Sequence, residues 1–249
     1  MTTAPPRIDV QHVSKSFIDR GRRLLALDDV SLAVAAREFV TLIGPSGSGK
    51  STLFNLIVGL QQPDQGTISL NGVALSERAG HVGYMPQRDL LLPWRTVLDN
   101  AILAQEVKGV PRREAHQRAR SLLPAFGLEA FAQAYPSALS GGMRQRAALL
   151  RTVLTDQDLL LLDEPFGALD ALTRRELQDW LLGLWETLSL TVLFITHDVE
   201  EALYLGDRVV VLAPRPGRIL ETARVALPRP RRQGMVASPE FGSQAEALL

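Results

Sequence analysis

Residues Glu38-Phe39-Val40-Thr41-Leu42-Ile43 run without a break into Gly44-Pro45-Ser46-Gly47-Ser48-Gly49-Lys50-Ser51. No other stretch limits the fold so strongly. Four of the six leading residues are apolar, and Val, Ile and Phe favour extended backbone, so a buried strand is predicted. From Lys50 to Leu60, the residues Leu53, Leu56, Ile57 and Leu60 recur at helical spacing, with Gly59 near the end. The loop between them fits G-x-x-x-x-G-K-[ST] in the strand-to-helix context that gives the pattern meaning. Its glycines let backbone N–H groups converge on phosphate oxygens, and the following helix points its positive end at them. Lys50 supplies a point charge for β- and γ-phosphates, and Ser51 a hydroxyl for Mg²⁺. The bland alternative, a flexible Gly/Ser turn, does not account for the flanking strand and helix.

The rest of the chain extends this start into an α/β fold. Arg7 to Val34 alternates apolar and polar residues (Ile8, Val10, Leu25, Leu27, Val30, Leu32, Val34), as half-buried strands do. Thr67–Leu70 followed by Asn71-Gly72 predicts a hairpin, and His81–Met85 a short strand stopped by Pro86. Between Thr96 and Phe131 the texture turns helical, and a helical subdomain over about 96–155 is the simplest account. Strands return at Leu159–Asp163, Thr191–Thr196 and Arg208–Leu212, separated by helical stretches at Leu172–Leu188 and Val199–Leu205. Strands alternating with helices imply a mainly parallel sheet with crossover helices. Residues 1–227 are therefore expected as one domain, and the Pro-, Arg- and Ser-rich stretch 228–249 as a flexible tail.

Composition removes several function classes. Lys+Arg and Asp+Glu both number 27, so no global basic field attracts nucleic acid. Cysteine is absent, which excludes disulfides, zinc thiolates and thiol nucleophiles. Met1–Ile8 has no apolar signal core, and the apolar runs fall short of the ~20 residues a membrane span needs. His12, His81 and His116 lack metal-ligand spacing and read as structural or surface residues. No Asn-Lys-x-Asp guanine-reading motif occurs.

The run Leu159-Leu160-Leu161-Leu162-Asp163-Glu164-Pro165 predicts a buried strand delivering carboxylates to its C-terminal edge, where parallel sheets bind ligands. Asp163 is placed to hold Mg²⁺, directly or through water, and Glu164 to take a proton from an attacking water. Ahead of it, Leu139-Ser140-Gly141-Gly142-Met143-Arg144-Gln145-Arg146 puts Ser-Gly-Gly before a helix, a second backbone anion site or a plain helix start capped by Ser140. Its position just before the acidic strand favours the first.

In this order the motifs resemble those of the nucleotide-binding subunits of ABC transporters, over nearly the whole chain. The match comprises the loop at Gly44–Ser51, Gln87 after a short strand, Leu139–Arg146, Leu159–Pro165, Ala168-Leu169-Asp170, and His197 ending a strand. Met143 stands where the commonest form has Gln. The resemblance implies an ABC ATPase of the P-loop class, with a mainly parallel core sheet, an N-terminal antiparallel β subdomain and a helical insertion. ATP and Mg²⁺ would be bound by Gly44, Pro45, Ser46, Gly47, Ser48, Gly49, Lys50, Ser51 and Thr52, with Ser51, Gln87 and Asp163 at the metal. Glu164 would be the general base, His197 would contact the γ-phosphate, and Gln87 would sense the metal and attacking water. Ser140, Gly141 and Gly142 would bind the ATP held by a second copy, and Asp170 would link the two sites. Phe17 would stack on adenine, with a plain core residue as the alternative.

The segment Met85–Val97, with Leu-Leu-Leu-Pro-Trp at Leu90–Trp94, is similar to importers of the nitrate, sulfonate and taurine class, and to carriers of hydroxymethylpyrimidine-type thiamine precursors. It reads either as a contact for a membrane-subunit helix or as local core packing. The implied assembly is a homodimer beneath two integral membrane permease subunits, contacted near Gln87–Trp94, at the cytoplasmic face of the inner (cell) membrane. A solute-binding protein would feed it. The length fits importer classes without a C-terminal regulatory domain. Alternatives are an exporter ATPase, disfavoured by Leu90–Trp94, or a soluble cassette ATPase acting on DNA or ribosomes. The latter usually needs long coiled coils or two fused ATPase domains.

Overall fold

A computed structural model describes residues 5–74 and 80–248. The first four residues, which belong to the stretch without a signal core, lie outside the described residues. The chain forms two units, one running through His81 and resuming at Ser189, the other spanning Val82–Leu188.

The first unit opens with β1 (Ile8–Asp19), β2 (Arg22–Val34), β3 (Phe39–Ile43), α1 (Lys50–Val58), β4 (Gln65–Leu70) and β5 (Val73–Ala74). An antiparallel sheet orders four of these as β2-β1-β4-β5. The predicted hairpin joins β4 to β5, with Asn71 and Gly72 both at positive φ (53° and 74°), the backbone of the tight turns that Asn-Gly favours. In β1 the register slips between Val10 and Val13, where His12 takes a φ of 51° and its N–H donates to Ser31 Oγ at 2.9 Å. That bulge explains why the alternation of the sequence breaks there.

The second unit contains β6 (Gly83–Met85), α2 (Val97–Ala101), α3 (Leu103–Val107), α4 (Arg112–Leu122), α5 (Gly141–Val153), β7 (Leu159–Asp163) and α6 (Ala171–Leu188). Strands β6 and β7 pair in parallel, Gly83 opposite Leu160 and Met85 opposite Leu162. The unit is thus wider than a helical insertion over 96–155, because it has two strands and a long helix of its own.

The chain then returns to the first unit with β8 (Thr191–Ile195), α7 (Val199–Leu205), β9 (Arg208–Leu212), β10 (Ile219–Arg224) and α8 (Pro239–Ala247). Strand β3 lies between β8 and β9, parallel to both, and β10 closes the β9 edge antiparallel. Every residue of β3, β7 and β8 is buried, which is why these strands read as unbroken apolar runs rather than alternating ones. The polar exception in β3, Thr41, donates its hydroxyl to the carbonyls of Ala202 (3.2 Å) and Arg208 (3.3 Å).

The flexible tail expected over 228–249 is corrected by the structure. Arg229 donates to Leu205 O (2.7 Å) and to Asp207 Oδ1 (2.8 Å). Arg231, 8% exposed, donates to the carbonyls of Leu203, Tyr204 (3.3 Å) and Gly206 (3.1 Å). Both guanidinium groups therefore satisfy carbonyls at the C-terminal end of α7, where the helix dipole favours cations. Burial, and then the adjoining Arg229 charge, pull Arg231 down to about 10. Further on, Ser238 caps α8 by accepting from Phe241 N at 3.2 Å, and the Phe241 ring is 2% exposed. Two arginines and one phenylalanine hold the segment, so it carries no apolar periodicity for a sequence reading to find.

Candidate functional site

The phosphate loop is built on the end of β3. Gly44 and Gly49 adopt φ of 153° and 92°, and neither could carry a side chain: a Cβ would lie 2.7 Å from Leu212 O at Gly44 and 2.6 Å from Leu27 Cδ2 at Gly49. Gly49 is the left-handed N-cap of α1, whose first turn contains no acid. Pro45, Ser46 and Gly47 are exposed at the crown of the loop, while Ser48 is fully buried beneath it. The Lys50 ammonium, 7% exposed, folds back onto Gly44 O (2.7 Å) and Pro45 O (3.1 Å). Ser51 is exposed and Thr52 half-buried in the first turn of α1. A backbone held open by glycine, a helix N-terminus without acids and a buried ammonium fit a polyphosphate.

Two more expected residues belong to this unit. Phe17 is half-buried on β1, opposite Leu24, with Lys15 Nζ 5.8 Å from its ring centre. It is not a core residue. His197 is exposed between β8 and α7 on a corner locked by its neighbours: Asp198 N donates to Thr196 Oγ1 (3.0 Å), and Asp198 Oδ1 accepts from Glu201 N (3.1 Å).

The second unit holds the acidic end of β7. Asp163 is 5% exposed, and Tyr84 on β6 is pushed up to about 12 by burial and then by the Asp163 charge. Glu164 follows at φ 44°, a left-handed conformation costly for a residue with a Cβ and of the kind that clusters at functional sites. Gln87 Nε2 donates to Glu164 Oε2 at 3.2 Å, so two residues 77 apart in sequence meet. The Asp163 carboxylate and the Gln87 amide oxygen of this unit are hard donors, the chemistry that Mg²⁺ takes.

Ser140 caps α5, its Oγ accepting from Met143 N at 3.3 Å. Gly142 allows α5 to approach α6 closely, since a Cβ there would sit 2.9 Å from Thr173 Cγ2. Arg146, one turn on, lies over the Trp180 ring at 5.3 Å. Asp170 at the start of α6 is held below the usual carboxylate range by the Thr173 N–H and then by its hydroxyl. Leu90 and Trp94 are 56% and 71% exposed, so neither is a core residue. Their segment is nonetheless fixed. Asn100, fully buried, accepts from Leu92 N (2.7 Å) and donates to the carbonyls of Leu92, Arg95 and Thr96 (3.0–3.1 Å). Arg151 donates to Leu90 O at 2.7 Å.

The sequence reading missed the loop between β9 and β10. Gly217 packs directly on the phosphate loop, where a Cβ would fall 2.0 Å from Ser48 O. Its N–H donates to Ala26 O (2.9 Å), and its carbonyl accepts from Asp28 N (3.0 Å). The available signal was the Pro216-Gly217 pair just after a buried strand.

The ABC transporter family model matches residues 27–167. The taurine import ATP-binding protein TauB of Rhizobium johnstonii is 45% identical, over 97% of this chain and 94% of that one. The formylaminopyrimidine import ATP-binding protein ThiZ of Halalkalibacterium halodurans is also 45% identical, over 89% and 86%. Among solved structures, the dimeric bacterial ABC transporter cassette MJ0796 is 30% identical with a TM-score of 0.76, covering 88% of this chain and 99% of that one. The chain belongs to the ABC transporter family. It is an ATP-binding subunit of that family, an ATPase coupled to transport.

Proposed function

We propose that this chain is the energy-coupling ATPase of a bacterial importer for a small solute of the nitrate, sulfonate or taurine kind. The observation that carries the importer reading is the exposure of Leu90 and Trp94 on a segment pinned from behind by Asn100 and Arg151, which presents both side chains rigidly. A membrane-subunit helix would seat there, close in sequence to Gln87. Two such permease subunits, fed by a solute-binding protein, would place the chain at the cytoplasmic membrane face. A second reading, a thiamine-precursor importer, is supported by the 45% identity to the formylaminopyrimidine protein.

In this reading the loop from Gly44 to Thr52 grips the phosphates, Lys50 leaving its carbonyl partners to meet them, and Phe17 stacks on the base. Magnesium, when bound, would neutralise charge developing on the phosphates, with Ser51, Asp163 and Gln87 as its holders. Gln87 Nε2 fixes one oxygen of Glu164, orienting the carboxylate that takes a proton from the attacking water. His197 contacts the terminal phosphate from its locked corner. Ser140, Gly141 and Gly142 complete the site of a second copy, and Asp170 links the two, so ATP would close a homodimer and hydrolysis reopen it.

Glu164→Gln tests this. Turnover should fall by roughly 10²- to 10⁴-fold, the usual value of a positioned base. The variant should also elute as a dimer with Mg-ATP. A variant that stays monomeric under saturating Mg-ATP refutes the shared site.

A further inference from the structure

Arg215 stands at the crown of the phosphate loop. Its Nη2 lies 3.8 Å from where a Cβ on Gly47 would sit. Among the described residues it has no hydrogen-bond or ion-pair partner, whereas its neighbour Arg218 is paired with Asp28. The exposed arginine is not on a loose loop. Ala213 N donates to Arg218 O at 2.8 Å, Gly217 is tied to Ala26 and Asp28, and Gly217 abuts Ser48. Prolines on both sides, Pro214 and Pro216, restrict the backbone further. The loop therefore holds a guanidinium beside Gly47, and neither Gly44–Ser51 nor the first turn of α1 contains an acid to pair with it.

Two cations thus lie beside the loop. The Lys50 ammonium is buried inside, on the carbonyls of Gly44 and Pro45; the Arg215 guanidinium is outside, at the exposed crown. A planar guanidinium with several donors suits phosphate oxygens better than a point charge does.

We propose that Arg215 is a further nucleotide-binding residue, its guanidinium bonding to phosphate oxygens of the nucleoside triphosphate held by Gly44–Ser51. This rests on reading that loop as the polyphosphate site.

The test is an equilibrium titration of the full chain with ATP in EDTA, so that neither metal nor turnover enters. Arg215→Ala should weaken binding about tenfold, the value of a charge-assisted hydrogen bond reduced by partial exposure. Arg215→Lys should recover part of the loss, and Arg215→Glu should bind more weakly than Arg215→Ala. All three should keep the wild-type melting temperature, since no protein group is left unpaired. An ordering by charge is something a merely structural role would not produce. Wild-type affinity in Arg215→Ala overturns the proposal. Lys50→Ala separates the two failures: lost binding there with Arg215→Ala unaffected sinks only the role of Arg215. Wild-type binding in Lys50→Ala sinks the polyphosphate reading and the proposal together.

Discussion

Adding one methyl group to Gly217 should disable nucleotide use without replacing any nucleotide-binding residue. The new Cβ would fall 2.0 Å from Ser48 O, 3.2 Å from Ser48 C and 3.1 Å from Leu27 Cδ2. Non-bonded atoms settle at roughly 3.5 Å, so one side must retreat by about 1.5 Å. The β9–β10 loop is tied to β2 by two backbone hydrogen bonds, which makes Ser48 the side that yields. Ser48 N donates to Pro45 O at 3.2 Å, so its displacement carries the crown of the phosphate loop with it. Misplacing a reacting geometry by about 1 Å can cost around 10²-fold, and Gly217→Ala should lose ATPase turnover on that scale. Overpacking should also cost about 1–3 kcal/mol, lowering the melting temperature by several degrees without unfolding the chain. Steady-state ATPase assays and thermal melts measure both. Gly183→Ala is the control: nothing lies within 4 Å of its added Cβ in α6, so activity should hold and stability rise by about 0.5–1 kcal/mol. Wild-type kcat and KM in Gly217→Ala would refute the claim that this glycine sets the position of the loop.

Arg231→Ala should destabilise the first unit by about 1–3 kcal/mol, because three buried carbonyls lose their donor. Denaturant melts give the loss, and hydrogen exchange should show faster opening over 228–247. Burial opposes the charge on Asp99, but bonds from His116 and Arg112 outweigh it and hold the carboxyl below its usual range. A depressed folded value stabilises above the unfolded pKa of about 3.9 and is lost as pH falls through the folded value. Asp99→Asn should therefore be less stable than wild type in urea melts at pH 7, with the gap narrowing in acid. Trp94→Ala, at a 71% exposed side chain, should leave basal ATPase and stability intact but uncouple solute uptake in reconstituted transporter. Collapse of basal hydrolysis would sink the contact-surface reading.

What the sequence revealed and what it hid follow from the range of the forces involved. The phosphate loop, α7 and the Asn71-Gly72 turn were legible because backbone preference and apolar spacing act over a few neighbours. Glu164 could be located after a leucine run, but its left-handed backbone and its bond to Gln87 depend on residues 77 apart. The tail and the Arg215–Gly217 loop were opaque for a related reason. Their anchors are guanidinium-to-carbonyl bonds and a close backbone approach, which leave no periodic trace. Asn100 shows the same limit: a single polar letter in a helix start organises the whole Leu92–Thr96 segment through four hydrogen bonds.

The interleaving of the two units has a consequence for how the protein is made. Strand β3 carries the phosphate loop, yet its parallel neighbours are more than 150 residues downstream, with Phe39 opposite Val192 and Val40 opposite Arg208. At a synthesis rate of about 5–20 residues per second, the strand waits roughly 8–30 s on the ribosome before either neighbour is translated. During that interval a segment apolar at four of its five positions lacks both its parallel neighbours and is a natural client for chaperones. A prematurely terminated chain would contain the full nucleotide motif but not the scaffold that shapes it. The insertion thus delays the shaping of the phosphate loop: both strands that flank β3 exist only once Arg208–Leu212 has been translated.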